Sequence, residues 1–329
     1  MMLLDVRNLT VTLKTENLEV NAIDKMSLSM REGSIHGLVG ETGSGKSLFA
    51  RALTATLSDK WEVKADRMFW QGQDLLRLSP EQRGQIIHRD IAMIFQEPGR
   101  CLDPTATVGE QLSEVIPEAE CVSSFWQRKK EIYGKVSNLL KKVGIKHYQK
   151  CYESYPHELS EGLCQKVMIA MAIARRPKLL VADEPTDAME STTKIQILRL
   201  LQKLNESKNM SVLLITHDLD SVTQYADEMT ILYSGQSVES GSVRDLLKHP
   251  FHPYTEILFN TIPRLGDDLK PKSRLTTLQG STPPLQHLPI GCRLGPRCPR
   301  AQKECVITPK SVKLKGHVFS CHYPINLER

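Results

Sequence analysis

The chain of 329 residues has room for one large domain or two modest ones, and 40% hydrophobic with 25% charged residues is the balance of a folded globular protein. A formal net charge of +5 permits contact with acidic surfaces but gives no argument for nucleic acid. The opening MMLLDVRNLTVTLKT mixes Asp5, Arg7 and Asn8 into its apolar residues, so it lacks a signal-peptide core, and no apolar run reaches bilayer-spanning length. The expectation is a cytoplasmic chain that meets a membrane only through partners.

In chain order, residues 3–31 alternate apolar and polar, which predicts antiparallel strands with one covered face. Ser34–Val39 reads as a short buried strand and Lys46–Leu57 as a helix. Between them lies Gly40-Glu41-Thr42-Gly43-Ser44-Gly45-Lys46-Ser47, which fits the phosphate-binding pattern G-x-x-x-x-G-K-[ST]. Residues 61–72 predict more strand, Ser79-Pro80-Glu81 a helix start, and residues 91–95 (IAMIF) a buried strand ending in Gln96-Glu97-Pro98. Helical patterns dominate residues 99–176, with Gly144 closing one helix and Met168 and Met171 read as core. From Lys178 the pattern returns to strand and helix: KLLVADEP, an amphipathic helix, SVLLITHD, a short helix and a hairpin over EMTILYSGQSVESG. Such alternation predicts an α/β fold with a mostly parallel, covered sheet. Residues 264–289 read as a linker, and a cysteine-bearing module over residues 290–329 ends the chain.

The glycines of the loop let backbone N–H groups turn inward around a polyphosphate, and the following helix adds its positive end. Lys46 would reach the β- and γ-phosphates and Ser47 would hold Mg²⁺. The strand Leu179–Ala182 delivers two adjacent carboxylates: Asp183 suits the Mg²⁺ shell, and Glu184 can polarise a water. His217 and Gln96 each follow a strand end, where they can touch the γ-phosphate, the metal or the attacking water. Taken alone, a histidine after a strand is more often structural than functional, and a surface residue is the default reading of the glutamine.

The order of these motifs resembles the ATP-binding subunits of ABC transporters along nearly the whole chain. In that resemblance residues 40–47 are Walker A, Gln96-Glu97-Pro98 the glutamine loop, Leu159-Ser160-Glu161-Gly162-Leu163 the signature, residues 179–184 Walker B and His217 the switch histidine. His252-Pro253-Tyr254-Thr255 and the tail GCRLGPRCPRAQKEC are similar to the oligopeptide and dipeptide importer branch, nearest to subunits of the Sap type. The resemblance implies a P-loop cassette over residues 1–263, with an antiparallel β subdomain and a helical subdomain at about 99–176. It implies ATP and Mg²⁺ as cofactors, with Ser160 and Gly162 contacting nucleotide on a second homologous subunit. It implies two membrane permease subunits, an indirectly engaged periplasmic peptide-binding protein, and a peripheral place on the cytoplasmic face of the inner membrane, powering uptake of peptides, antimicrobial ones among them. The sequence departs from the family at Glu161 and Leu163 of the signature and at Asp187-Ala188-Met189-Glu190 after Walker B, and no aromatic residue precedes Phe49. These departures keep open a regulatory subunit with little ATPase activity, beside a soluble ABC protein uncoupled from transport.

Cys101, Cys121, Cys151 and Cys164 are scattered and read as free thiols, whereas Cys292, Cys298, Cys305 and Cys321 follow C-x₅-C-x₆-C-x₁₅-C. That spacing has no short zinc knuckle. It leaves open four reduced cysteines or an iron–sulfur cluster, and the family resemblance implies a four-iron–four-sulfur (4Fe-4S) group. Arg293, Arg297, Arg300 and Lys303 are expected to favour thiolates there. His317 and His322 are read as bystanders.

Overall fold

In the computed structural model, which describes residues 1–16, 18–117, 125–187, 189–261 and 278–327, the opening alternation builds a long antiparallel pair. β1 (Met2–Thr15) buries Leu4, Val6, Leu9 and Val11, and β2 (Leu18–Arg31) buries Ile23, Met26, Leu28 and Met30. The inward set changes parity between Val6 and Leu9. A register shift there, with Asn8 at φ 51°, is a bulge that returns Leu9 to the covered face. β3 (Ile35–Val39) is buried throughout and leads through the glycine loop into α1 (Lys46–Leu53). The helix stops before the expected Leu57, because Thr54 bonds back to the Ala50 carbonyl at 2.9 Å and Ala55 turns left-handed at φ 54°. β4 (Trp61–Lys64), β5 (Arg67–Trp70) and β6 (Gln73–Asp74) complete a sheet in the order β2-β1-β5-β6, with β4 also on β1.

Two compact units divide the chain: residues 1–79 with 214–329, and residues 80–213. The second begins with α2 (Pro80–Asp90) and β7 (Ile91–Ile94), followed by α3 (Pro98–Cys101), α4 (Val108–Glu114), α5 (Phe125–Lys142), α6 (Tyr148–Glu153) and α7 (Glu161–Ala174). α4 starts in a capping box of Thr107 and Glu110, and Gly144 follows α5 at φ 77°. Met168 is core as expected, while Met171 is only half-buried. Next come β8 (Leu179–Asp183), parallel to β7, and α8 (Ser191–Lys208). Buried Asp90 closes this unit's base, paired with Arg89 at 2.9 Å and Lys178 at 3.3 Å. Cys121 lies outside the described residues.

β9 (Ser211–Thr216) carries the chain back into the first unit, to α9 (Leu219–Tyr225), β10 (Glu228–Tyr233), β11 (Gln236–Ser242), α10 (Val243–Lys248), α11 (Pro253–Asn260), β12 (Val312–Leu314) and β13 (His317–Phe319). Strands run β12-β13-β11-β10-β3. β3 and β10 pair in parallel, while β10 with β11, β11 with β13 and β12 with β13 are antiparallel, so this edge of the sheet is not part of the parallel pattern that the alternation predicted. Ser234 and Gly235, both at positive φ, form the two-residue hairpin turn between β10 and β11. The cysteine module is joined to this unit, since β13 pairs with β11. Of the expected linker, residues 264–277 lie outside the described residues, and Leu285–His287 forms a single 3₁₀ turn.

Candidate nucleotide-binding site

The glycine loop is shaped by close backbone approaches. Gly43 and Gly45 take left-handed φ of 81° and 102°, and a Cβ on Gly40 would lie 2.1 Å from the Leu232 carbonyl oxygen. The Gly235 N–H donates to the Ser44 carbonyl at 2.7 Å, tying the loop to the β10–β11 hairpin. Lys46 is only 4% exposed, and its Nζ donates to the Gly40 and Glu41 carbonyls at 2.8 and 3.0 Å. The ammonium is thus held over the loop's mouth by its own backbone. The Ser44 hydroxyl is buried without a hydrogen-bond partner, and Gly45 caps α1 with no side chain across its first N–H groups. Donors gathered around a bend, with an orphaned hydroxyl and a buried cation, fit a polyphosphate. Ser47 sits half-buried in the first turn of α1, and Thr42 is exposed at the loop's tip.

Behind the loop stands a polar layer that local pattern did not reveal. The Glu41 N–H donates to the Tyr254 hydroxyl at 3.2 Å, and Glu41's carboxylate accepts two bonds from Arg297, at 2.8 and 3.2 Å, and one from Thr282 at 2.6 Å. Burial pushes the Glu41 carboxyl up, but the Arg297 and Thr282 bonds and the Arg297 and Lys46 charges outweigh it and hold the carboxyl below its ordinary range. Deeper still, buried Glu239 accepts from the backbone N–H groups of Phe251 and His252 at 2.8 and 2.9 Å and from His317 Nδ1 at 3.1 Å. An acid on a strand that otherwise reads as solvent-facing gave no signal of this. In the same unit His217 follows β9 and is exposed.

The second unit holds the carboxylates. β8 ends in buried Asp183, and Glu184 follows at φ 45°, half-buried. A left-handed glutamate at a strand end costs on the order of 1 kcal/mol or more, and such strain gathers at functional turns. The turn closes with the Asp187 N–H on the Glu184 carbonyl at 3.3 Å. Gln96, after β7, donates its amide to Asp187 Oδ2 at 3.0 Å. Its NH₂ group, expected at metal or water, is engaged by a residue singled out only as a departure from the family. At the signature, Ser160 N-caps α7 without a side-chain cap bond, Glu161 is exposed and Leu163 half-buried. A Cβ on Gly162 would lie 2.6 Å from Thr193 Cγ2, so α7 passes close to α8 here.

Residues 23–187 match the ABC transporter family profile, and residues 238–305 match the oligopeptide/dipeptide transporter C-terminal region. The chain belongs to the ABC transporter family. Its relatives include the peptide transport system ATP-binding protein SapD of Salmonella typhimurium, 50% identical over the full length of both chains. The dipeptide transport ATP-binding protein DppD of Escherichia coli is 39% identical over 99% of this chain and 98% of its own. Among solved structures, the dimeric bacterial ABC transporter cassette MJ0796 matches with a TM-score of 0.62 and 25% identity over 73% of this chain and 99% of its own. For an ABC cassette the glycine loop is the expected ATP site, and Mg²⁺ accompanies the nucleotide.

The C-terminal region of this ABC protein gathers Cys292, Cys298, Cys305 and Cys321 around one pocket, with His252, Leu294 and Tyr323. Tight turns bring them there: the Cys292 N–H donates to the Cys305 carbonyl at 2.9 Å, and a Cβ on Gly291 would lie 2.3 Å from the Val306 backbone. The expected help from basic residues comes from Arg300, whose backbone N–H and charge both favour the Cys298 thiolate, though burial outweighs them. Arg293 turns to the Ser234 and Asn21 carbonyls and Arg297 to Glu41, while burial pushes up the thiols of Cys292, Cys298 and Cys321, the last to about 11. His317 is taken by Glu239, and His322 Nε2 donates to the Ile307 carbonyl at 2.9 Å.

Proposed function

We propose that this chain is the ATP-hydrolysing subunit that powers a peptide importer, a reading supported by its full-length likeness to the peptide and dipeptide transport ATP-binding proteins SapD and DppD. The observation that carries the reading is the buried Lys46, held by carbonyls at the mouth of a left-handed glycine loop. Residues Gly40 to Ser47 cradle the phosphates, Ser47 and Asp183 hold Mg²⁺ with Gln96 beside them, and Glu184 polarises the attacking water with His217 sensing the γ-phosphate. Catalysis of this kind rests on positioning and charge neutralisation. Ser160 and Gly162 serve ATP bound on a second, homologous subunit. Two permease subunits receive the pair at the cytoplasmic face of the inner membrane, and a periplasmic binding protein delivers peptide, antimicrobial peptides included. No helix among the described residues is long and apolar enough to cross a membrane, which suits a peripheral subunit.

The four module cysteines are proposed to hold a 4Fe-4S cluster, whose role is to staple the module. The gathering of all four cysteines about one pocket supports this, and the raised thiols of Cys292, Cys298 and Cys321 mean that iron must displace protons on binding. The test is purification from membranes under anaerobic conditions. Permease subunits should co-purify, with iron and acid-labile sulfide in the preparation and MgATP binding that Lys46→Ala removes. Ribosomes in place of permeases, unchanged ATP affinity in Lys46→Ala, or one zinc without sulfide would each overturn the corresponding part.

A further inference from the structure

The loop that fits phosphate carries a carboxylate at its second position, and Glu41 lies where a polyphosphate would add like charge. The structure counters it from the far end of the chain. Arg297, 10% exposed, meets the 29% exposed Glu41 in a two-pronged pair at 2.8 and 3.2 Å. The same guanidinium donates to the Tyr233 hydroxyl at 3.1 Å, to the Gln279 carbonyl at 3.0 Å and to the Gly280 carbonyl at 3.1 Å. It also lies 5.7 Å from the Tyr233 ring centroid, and Tyr233 packs edge-on against Tyr254, which accepts from the Glu41 N–H. Every polar edge of Arg297 is therefore spent on Glu41 and on the groups that place it. Planar, forked and always charged, arginine suits this task where lysine would not.

We propose that Arg297 is a positioning residue of the nucleotide site: it neutralises Glu41 and fixes the first turn of the phosphate loop, so that affinity for the polyphosphate depends on a side chain from the cysteine module. This rests on the reading that the loop binds ATP. Without Arg297, Glu41 keeps its Thr282 bond but loses its countercharge, leaving a bare negative charge beside the phosphate loop, and the loop's first peptide loses its brace. Most of the effect should then pass through Glu41.

The experiment is a double-mutant cycle on the full chain, with MgATP affinity read by calorimetry. Arg297→Ala should weaken binding about tenfold or more. In the Glu41→Gln background the same change should cost less than about threefold. Raising the salt should shrink the loss in Arg297→Ala, because screening weakens carboxylate–phosphate repulsion, and a purely structural defect would not respond this way. An equal loss in both backgrounds, or no loss, overturns the proposal, as does a loss indifferent to salt. If Arg297→Ala fails to fold, Arg297→Lys is read through the same cycle, since it keeps the charge and loses the fork. Failure of the unaltered chain to bind MgATP would instead remove the nucleotide reading on which the proposal stands.

Discussion

Two helix starts in this protein are expected at ATP phosphates, and they are built differently. At α1 the loop is enclosed by neighbours: Lys46 is buried, Gly40 touches the Leu232 carbonyl, Gly235 bonds Ser44, and Glu41 is gripped by Arg297. At α7 the first helical residue, Glu161, is exposed, and Ser160 makes no side-chain cap. Both leave first-turn N–H groups open to an anion, unlike α4, α9 and α10, whose ends are capped by Thr107, Asp218 and Ser242. The lesson lies in where change is tolerated. A substitution at α1 must disturb interior contacts, while one at Glu161 changes charge without repacking. The altered signature is thus a variable of function more than of folding.

In the proposed pair with a second homologous subunit, the exposed Glu161 beside the partner's ATP would make the two sites unequal, and the largest effect should test that. Glu184→Gln in this chain should cut steady-state ATP turnover by about 10²–10⁴-fold while leaving ATP bound, the usual scale for a lost general base. The matching change in the partner, whose ATP faces this chain's Glu161, should leave a substantial fraction. Equal losses would end the asymmetry, and a greater loss from the partner's change would reverse it.

Next is the layer behind the phosphate loop. His252 accepts from the Tyr254 N–H through Nδ1 at 3.1 Å, and burial, only partly opposed by Glu239, pushes its pKa down to about 4. The unfolded chain would protonate this histidine near 6.5. Stability is therefore full above about pH 6.5 and declines as pH falls toward 4, by up to roughly 3 kcal/mol at 1.4 kcal/mol per unit. Denaturant melts of the full chain at several pH values should show the slope, and His252→Asn should flatten it.

Glycine substitutions sharpen the contrast between the two helix starts. Gly40→Ala brings a methyl 2.1 Å from a backbone oxygen, which cannot rotate away. It should cost about 1–3 kcal/mol in thermal or denaturant stability. Gly162→Ala meets the Thr193 methyl at 2.6 Å, and that side chain can turn, so its cost should be smaller. The reverse order would mean that the signature turn is the more tightly enclosed. The smallest effect belongs to Glu161→Gly. Because Glu161 is exposed and screened, turnover at the partner's site should rise only about two- to fivefold, and an unchanged rate would show that its carboxylate faces away from nucleotide.

What the sequence by itself determined was local. Period-two alternation marked β1 and β2, an apolar run ending in Asp183-Glu184 marked β8, and the glycine spacing marked the phosphate loop, because each rests on backbone rules that act within a few residues. Even there, Leu53 ended α1 early through a threonine bond that helix propensity does not announce. Only the tertiary structure decided the pairings that set the site's electrostatics. Glu41 finds Arg297 across 256 positions, Ile35 finds Asp227 across 192, and Gln96 finds Asp187 across 91. It also decided that two arginines of the cysteine module serve the hairpin and the phosphate loop rather than the thiols. A charge in a sequence has no direction until packing gives it one, and burial, which sets the strength of every such pair, belongs to the folded chain alone.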